Sequence, residues 1–169
     1  ISHLSGFGCP ILAYDPYEKE KVRRLASYVS LEELWEKADV IALHAPLSDE
    51  NYHLVNDRTL EKMKDGVVIV NTARGGLIDS DALIAGVESG KVGAAALDVV
   101  ENEFGLYYYD HKSDVLSNRQ LAILRSFPNV TVSHHMAFYT DNYTRTVIRD
   151  SLTGCRLFLD GKQNPWEVC

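Results

Sequence analysis

Cysteine is scarce and scattered: the 169 residues hold three, Cys9, Cys155 and Cys169, with no CxxC pair among them. That spacing excludes a zinc knuckle, a redox motif and a secreted disulfide framework, and it points to a reducing cytoplasm. Long apolar runs are missing too. The apolar stretches are strand-sized, short of the roughly 20 residues a membrane span needs, and the N-terminus lacks the basic and apolar layout of a signal peptide. Positive charge is in deficit, with 17 Lys and Arg against 24 Asp and Glu and a net charge of −7. The surface as a whole therefore offers nothing to nucleic acid or anionic lipid. No methionine opens ISHLSGFG, which reads as the tail of an amphipathic segment closing on Gly6 and Gly8 and predicts a chain that begins inside a fold. What is present is core-forming material: 46% of the residues are hydrophobic and 24% charged, enough for one globular domain.

That material is ordered along the chain. CPILAYD (9–15), ADVIALH (38–44), GVVIVN (66–71), VGAAALD (92–98) and NVTVSH (129–134) are continuous rather than alternating, as strands covered on both faces of a parallel sheet should be. Helix punctuation lies between them. Ser30 with Glu33 forms a capping-box pattern ahead of LEELWEKA, and Asp79 stands where it caps DALIAGVES, which stops at Gly90. A last helix is predicted from Asp141 to Asp160, with Val147, Ile148, Leu152, Cys155, Phe158 and Leu159 as a broad apolar face and Gly161 as its stop. KQNPWEVC then reads as a tail, so residues 1–160 form one domain and 161–169 leave it. The alternation predicts an α/β fold, a doubly wound parallel sheet, in which ligands bind beyond the carboxyl ends of the strands. The connection ENEFGLYYYDHKSDVLSN (101–118) is too polar and aromatic for simple linkage, and long ordered loops are commonly functional.

Polar residues follow those strands. Asp15 ends the first run, His44 the second, Arg74 follows the third, Asp98 ends the fourth, and His134 and His135 close the fifth. In a dinucleotide fold an acid at position 15 accepts hydrogen bonds from ribose hydroxyls and repels a 2′-phosphate, favouring NAD over NADP; Asp-Pro is equally a turn initiator. The Arg74 guanidinium can grip a carboxylate with two parallel hydrogen bonds, and the neighbouring glycines admit close approach by a ligand. Its plainer reading is a surface cation. His135 alone is a structural histidine, but Glu103, in the segment leaving the preceding strand, can fix its tautomer and favour its protonated form. Arginine, histidine and glutamate around one crevice suit reduction of a carbonyl beside a carboxylate: arginine orients the acid and polarises the carbonyl, the histidinium supplies the proton and a nicotinamide the hydride. Other signals are weaker. Asp110, His111 and Asp114 are read as a solvated loop and not a metal site, KEKVRR (19–24) as an exposed helix face, and Tyr107, Tyr108 and Tyr109 as packing for a loop or a subunit contact.

YDP, LHAPL, NTARGGLID, LDVVENE and FPNVTVSHHMAFYT, in this order, resemble the D-isomer-specific 2-hydroxyacid dehydrogenases, within them the fermentative D-lactate dehydrogenase branch. The likeness runs over essentially the whole chain, and the spacings from Arg74 to Glu103 and from Glu103 to His135 match the family's active-site pattern. It implies a Rossmann-like NAD-binding domain, a homodimer, and pyruvate with D-lactate as the substrate pair, members acting on branched or aromatic 2-oxoacids being the near alternative. By that resemblance Arg74 binds substrate, His135 gives and takes the proton, and Glu103 is its carboxylate partner. The cofactor positions implied are Asp15, Ala45, Pro46, Asn51, Thr72, Ala73, Arg74 and Asp98, and the AFYT aromatics wall the substrate pocket. Two departures are local: His134 stands where many members have proline, and Gly76 replaces a frequent proline, which predicts a looser turn. The third is larger. No GxGxxG occurs, whereas the family carries it just upstream of ISHLSGFG. The resemblance therefore implies a sheet lacking its first strand and glycine loop, exposed backbone where that strand belongs, no substrate domain, and an isolated chain that binds NAD poorly and turns over nothing. The rival from another class is a noncatalytic dimerisation or interaction module.

Overall fold

The computed structural model describes residues 1–107 and 118–166, and the chain divides into two compact units, Ile1–His134 and His135–Cys169. The first unit opens with β1 (Leu12–Ala13), α1 (Glu20–Arg23) and β2 (Ser27–Tyr28), the two short strands pairing in parallel. There follow α2 (Leu31–Lys37), β3 (Val40–Leu43), α3 (Asp57–Lys62), β4 (Val67–Asn71), α4 (Ser80–Glu88), β5 (Val92–Leu97), α5 (Arg119–Ser126) and β6 (Val130–Val132). β3, β4, β5 and β6 form one parallel sheet in chain order. Parallel neighbours need crossover connections, and α3, α4 and α5 supply them. The α/β class read from the sequence is thus the fold observed. All five apolar runs carry a strand.

Local chemistry sets the helix ends. The Ser30 hydroxyl accepts a hydrogen bond from Glu33 N at 3.1 Å, and Asp79 Oδ1 accepts from the amides of Asp81 and Ala82. Gly90, with φ 79°, lies just past α4. Three elements lack the long apolar or amphipathic pattern that marks the others. β2 is two residues long, α3 is started by a full capping box between Asn56 and Thr59, and α5 by the Asn118 side chain accepting from Leu121 N.

Burial corrects the expectation of strands covered on both faces. Ile41 and Leu43 of β3 are buried while Val40 is 60% exposed, and in β4 Val67, Ile69 and Asn71 are buried with only partial cover for the residues between. Successive strand residues point to opposite faces. Trp35, Leu60, Leu83, Val87, Leu121 and Leu124, from α2 through α5, join one of those faces in a single apolar cluster. β3 pairs only with β4 among the described residues, so it forms an edge of this sheet.

The second unit is built on α6 (Asp141–Leu159), started by Thr140 Oγ1 accepting from Tyr143 N and followed by Gly161 at φ 64°. Its span matches the predicted one. Its apolar face is not a core, however: Ile148, Leu152, Phe158 and Leu159 are exposed, and Gly154 is the buried residue of the helix, set against Asn164 of the following segment. No helix among the described residues is long and apolar enough to cross a membrane.

Candidate active site

β4 delivers Arg74 to the surface through its last residue. Asn71 is fully buried, its Oδ1 accepts from Ala73 N at 3.0 Å, and its Nδ2 donates to the Arg74 carbonyl at 2.9 Å. One amide side chain thereby bends residues 72–74 into a tight turn and satisfies their backbone. Thr72 and Arg74 emerge exposed, and Arg74 Nη1 donates to the Ala73 carbonyl at 2.6 Å. The Asn71 carbonyl accepts from Asp98 N at 2.9 Å, tying the end of β5 to the same point.

A 3-10 turn, Gly75–Leu77, comes next. A Cβ on Gly75 would lie 2.1 Å from the Val100 carbonyl carbon and oxygen and 2.6 Å from Glu101 N. Only glycine lets the two backbones meet this closely. The close approach expected at this glycine is therefore made by the chain itself: the loop after β4 rests on the loop after β5. Gly76 also departs from expectation. Its carbonyl accepts from His53 N at 2.8 Å, and its α-carbon lies beneath Leu47 and Tyr52, so the turn is braced and not loose.

Glu103 stands in the turn that leaves β5. Its Oε2 accepts from Val100 N at 3.1 Å and its carbonyl from Leu106 N at 2.9 Å, while Asn102 takes a left-handed conformation at φ 53°. Asp98 is 5% exposed, and its Oδ1 accepts from the Ser133 hydroxyl at 2.5 Å. The remaining sequence candidates lie in other loops. Asp15 is exposed and accepts from Tyr17 N at 2.8 Å, which makes it a turn residue whatever else it does. Asn51 closes the loop after β3, accepting from Ser48 N at 2.8 Å and donating to the Pro46 carbonyl at 2.7 Å. Ala45 is half-buried and Pro46 exposed.

The histidine pair is divided between the units. His134 belongs to the first, its ring edge-on to Tyr107 at 5.4 Å. His135 begins the second, with φ 52° and its ring edge-on to Phe138 at 6.4 Å; Phe138 in turn meets Tyr139 and Tyr143. Arg74, Asp98 and Glu103 are thus all carried by the loops after β4 and β5 in the first unit. Tyr108, Tyr109, Asp110, His111 and Asp114 lie outside the described residues.

Sequence reasoning missed a polar cluster beside these loops. Glu101 Oε1 meets His53 Nε2 at 2.6 Å and accepts from the Tyr52 hydroxyl at 3.3 Å, and Oε2 accepts from Ser80 N at 2.8 Å. Burial pushes the Glu101 carboxyl up, but the hydrogen bonds from His53 and Ser80 outweigh it and hold the group below the ordinary glutamate value. His53 Nδ1 lies 3.5 Å from Asp79 Oδ2, and its backbone is left-handed at φ 53°. DVVENE offers two glutamates two residues apart, and no spacing rule assigns one to this cluster. His53 follows no strand, so it carried no signal.

Asp15 follows β1, Ala45 and Pro46 follow β3, Thr72 to Arg74 follow β4, and Asp98 follows β5. Loops beyond the carboxyl ends of parallel strands are where a dinucleotide sits in this class of sheet, and the exposed Asp15, Thr72 and Arg74 are open to one. Residues 1–137 match the NAD-binding domain of the D-isomer-specific 2-hydroxyacid dehydrogenases. The chain belongs to that family. NAD is accordingly its cofactor. An aromatic 2-oxoacid reductase of Clostridium sporogenes is 43% identical over 171 residues, covering 100% of this chain and 52% of the relative. The crystal structure of a D-lactate dehydrogenase from Treponema pallidum is similar with a TM-score of 0.94 at 35% identity, over 99% of this chain and 50% of that one. The D-lactate dehydrogenase of Lactobacillus jensenii, solved with NAD+, gives 0.91 at 28% identity, over 99% and 50%. The chain thus spans about half the length of these relatives.

Proposed function

We propose that this protein, within a complete dehydrogenase, interconverts a 2-oxoacid and a D-2-hydroxy acid, with pyruvate and D-lactate as the preferred pair. The observation that supports this most strongly is the backbone contact of Gly75 with Val100 and Glu101, which couples the Arg74 loop to the loop bearing Glu103. Arg74 binds the substrate carboxylate through two parallel hydrogen bonds and polarises the adjacent carbonyl. His135, partnered by Glu103, holds the proton on its imidazole and gives it to the carbonyl oxygen. When bound, the nicotinamide supplies the hydride. Asp15 takes the ribose hydroxyls, residues of the 45–51 and 72–74 loops line the cofactor, and Asp98 faces the carboxamide. Residues 1–160 serve as the NAD-binding domain, with 161–169 leading toward a substrate domain. The enzyme works as a homodimer in a reducing cytoplasm, a setting that suits the exposed free thiols of Cys9 and Cys155.

A second reading, an aromatic or branched 2-oxoacid as substrate, is favoured by the likeness to the Clostridium sporogenes reductase. Steady-state kinetics of the full-length enzyme with pyruvate, 2-oxoisocaproate and phenylpyruvate separate the two: kcat/KM is expected to be highest for pyruvate, and a lead for phenylpyruvate selects the second reading. His135→Ala should lower kcat by about 100-fold or more while leaving NADH affinity intact. Unchanged turnover would remove His135 from the reaction.

A further inference from the structure

We infer that Glu101, two residues before Glu103, is a positioning residue that holds the Glu103 carboxylate in its working orientation; this rests on the role given to Glu103 above. Glu101 is held through both carboxylate oxygens and its own carbonyl. One carboxylate oxygen meets His53 Nε2 at 2.6 Å, the other accepts from Ser80 N at 2.8 Å, and its carbonyl accepts from Asn118 Nδ2 at 3.0 Å. Those contacts come from the loop before α3, the start of α4 and the start of α5. His53 is itself immobilised: its amide donates to the Gly76 carbonyl at 2.8 Å and its own carbonyl accepts from Asn56 Nδ2 at 2.7 Å.

The peptide that joins Val100 to Glu101 also lies against Gly75. Val100 supplies the amide that donates to Glu103 Oε2 at 3.1 Å. The anchored Glu101 side chain therefore fixes the peptide that follows Val100, and through it the direction of the Val100 amide that holds one oxygen of Glu103. Loosening Glu101 lets the Val100 amide turn away, and one oxygen of the Glu103 carboxylate loses that hydrogen bond. Holding a carboxylate against an imidazole at 15% and 28% side-chain exposure is a demanding way to pin a loop, because each partner gives up part of its hydration. Its position one peptide from the Glu103 anchor gives that arrangement a use.

The test is a kinetic cycle on the full-length enzyme, with rates normalised to the folded fraction. Glu103→Gln is expected to lower kcat strongly. Glu101→Ala should lower kcat by about 10- to 100-fold, the scale of a small misplacement of a reacting group, with NADH affinity within about two-fold of the parent. Glu101→Gln, which retains an acceptor for Ser80 N–H and a polar group toward His53, should recover most of the rate. In a Glu103→Gln background, Glu101→Ala should cost nothing further, because it acts through a carboxylate no longer there. If Glu101→Ala does not fold, His53→Gln replaces it in the same cycle, with a smaller loss of kcat and the same lack of additivity. A full-rate Glu101→Ala, or losses that add in the double variant, overturns the inference while leaving the Glu103 assignment standing. A Glu103→Gln enzyme that keeps its turnover overturns both.

Discussion

At the scale of single residues, Gly75 and Glu101 decide how the loops after β4 and β5 meet. A methyl group at Gly75 would overlap backbone, which cannot swing aside as a side chain can. Gly75→Ala is therefore expected to cost at least about 2 kcal/mol, in the range of overpacked interiors, and to raise the KM for the 2-oxoacid by moving Arg74; urea unfolding and steady-state kinetics read the two effects. Glu101 makes a separate prediction in acid. Its folded-state pKa is depressed, so its contribution is fully present above the unfolded value of about 4.3 and is lost as pH falls through the lower folded value. Urea midpoints measured from pH 6 down to pH 3 should fall more steeply in the parent than in Glu101→Gln, which lacks that titration. The sequence showed Arg74 and Glu103 through their motifs. It did not show Asn71, whose two side-chain hydrogen bonds shape the turn, because a buried asparagine and a solvated one look alike in a string of letters.

Elements were legible where the signal is local. The five apolar runs became strands because Val, Ile, Leu and Ala in short blocks suit a half-covered pleated surface, and Ser30 and Asp79 cap helices because a side-chain oxygen reaches amides only two or three residues away. α3 and α5 were not read, since each is under three turns and announces itself by a single asparagine, Asn56 or Asn118. Ser30→Ala should destabilise the first unit by about 1 kcal/mol. Asn56→Ala should cost more, because the same side chain also donates to the His53 carbonyl and so supports the left-handed backbone there. Thermal unfolding of the two variants side by side checks the order. Equal losses would mean that His53 does not depend on Asn56.

For the molecule as a whole, the sheet β3–β6 and the pair β1–β2 form separate ladders, and no ladder joins them among the described residues. A dinucleotide site needs both groups of strand ends fixed relative to each other, so residues 1–169 alone should gain little from NAD. Ligand at 100 times its Kd adds about 2.7 kcal/mol, or roughly 5–10 °C in Tm, to a protein that binds it tightly. The full-length enzyme is expected to show a shift of that order in NAD and the isolated chain less than about 2 °C, measured by differential scanning fluorimetry; equal shifts would mean that these loops hold the cofactor unaided.

The order of the five apolar strands and of α2, α4 and α6, the placing of Asp15, Arg74, Asp98 and Glu103 beyond strand ends, and membership of the family were all determined by the sequence. Periodicity, caps and motifs act over a few residues, and a linear string preserves them. Only the tertiary structure decided which face of the sheet is covered, that Gly75 serves a backbone contact within the chain, and that Glu101 belongs to His53 and Ser80 while Glu103 belongs to the Val100 amide. Glu101 and His53 are 48 residues apart. Contacts at that range exist only once the sheet has brought its loops together, so neither residue's neighbours in sequence could record them.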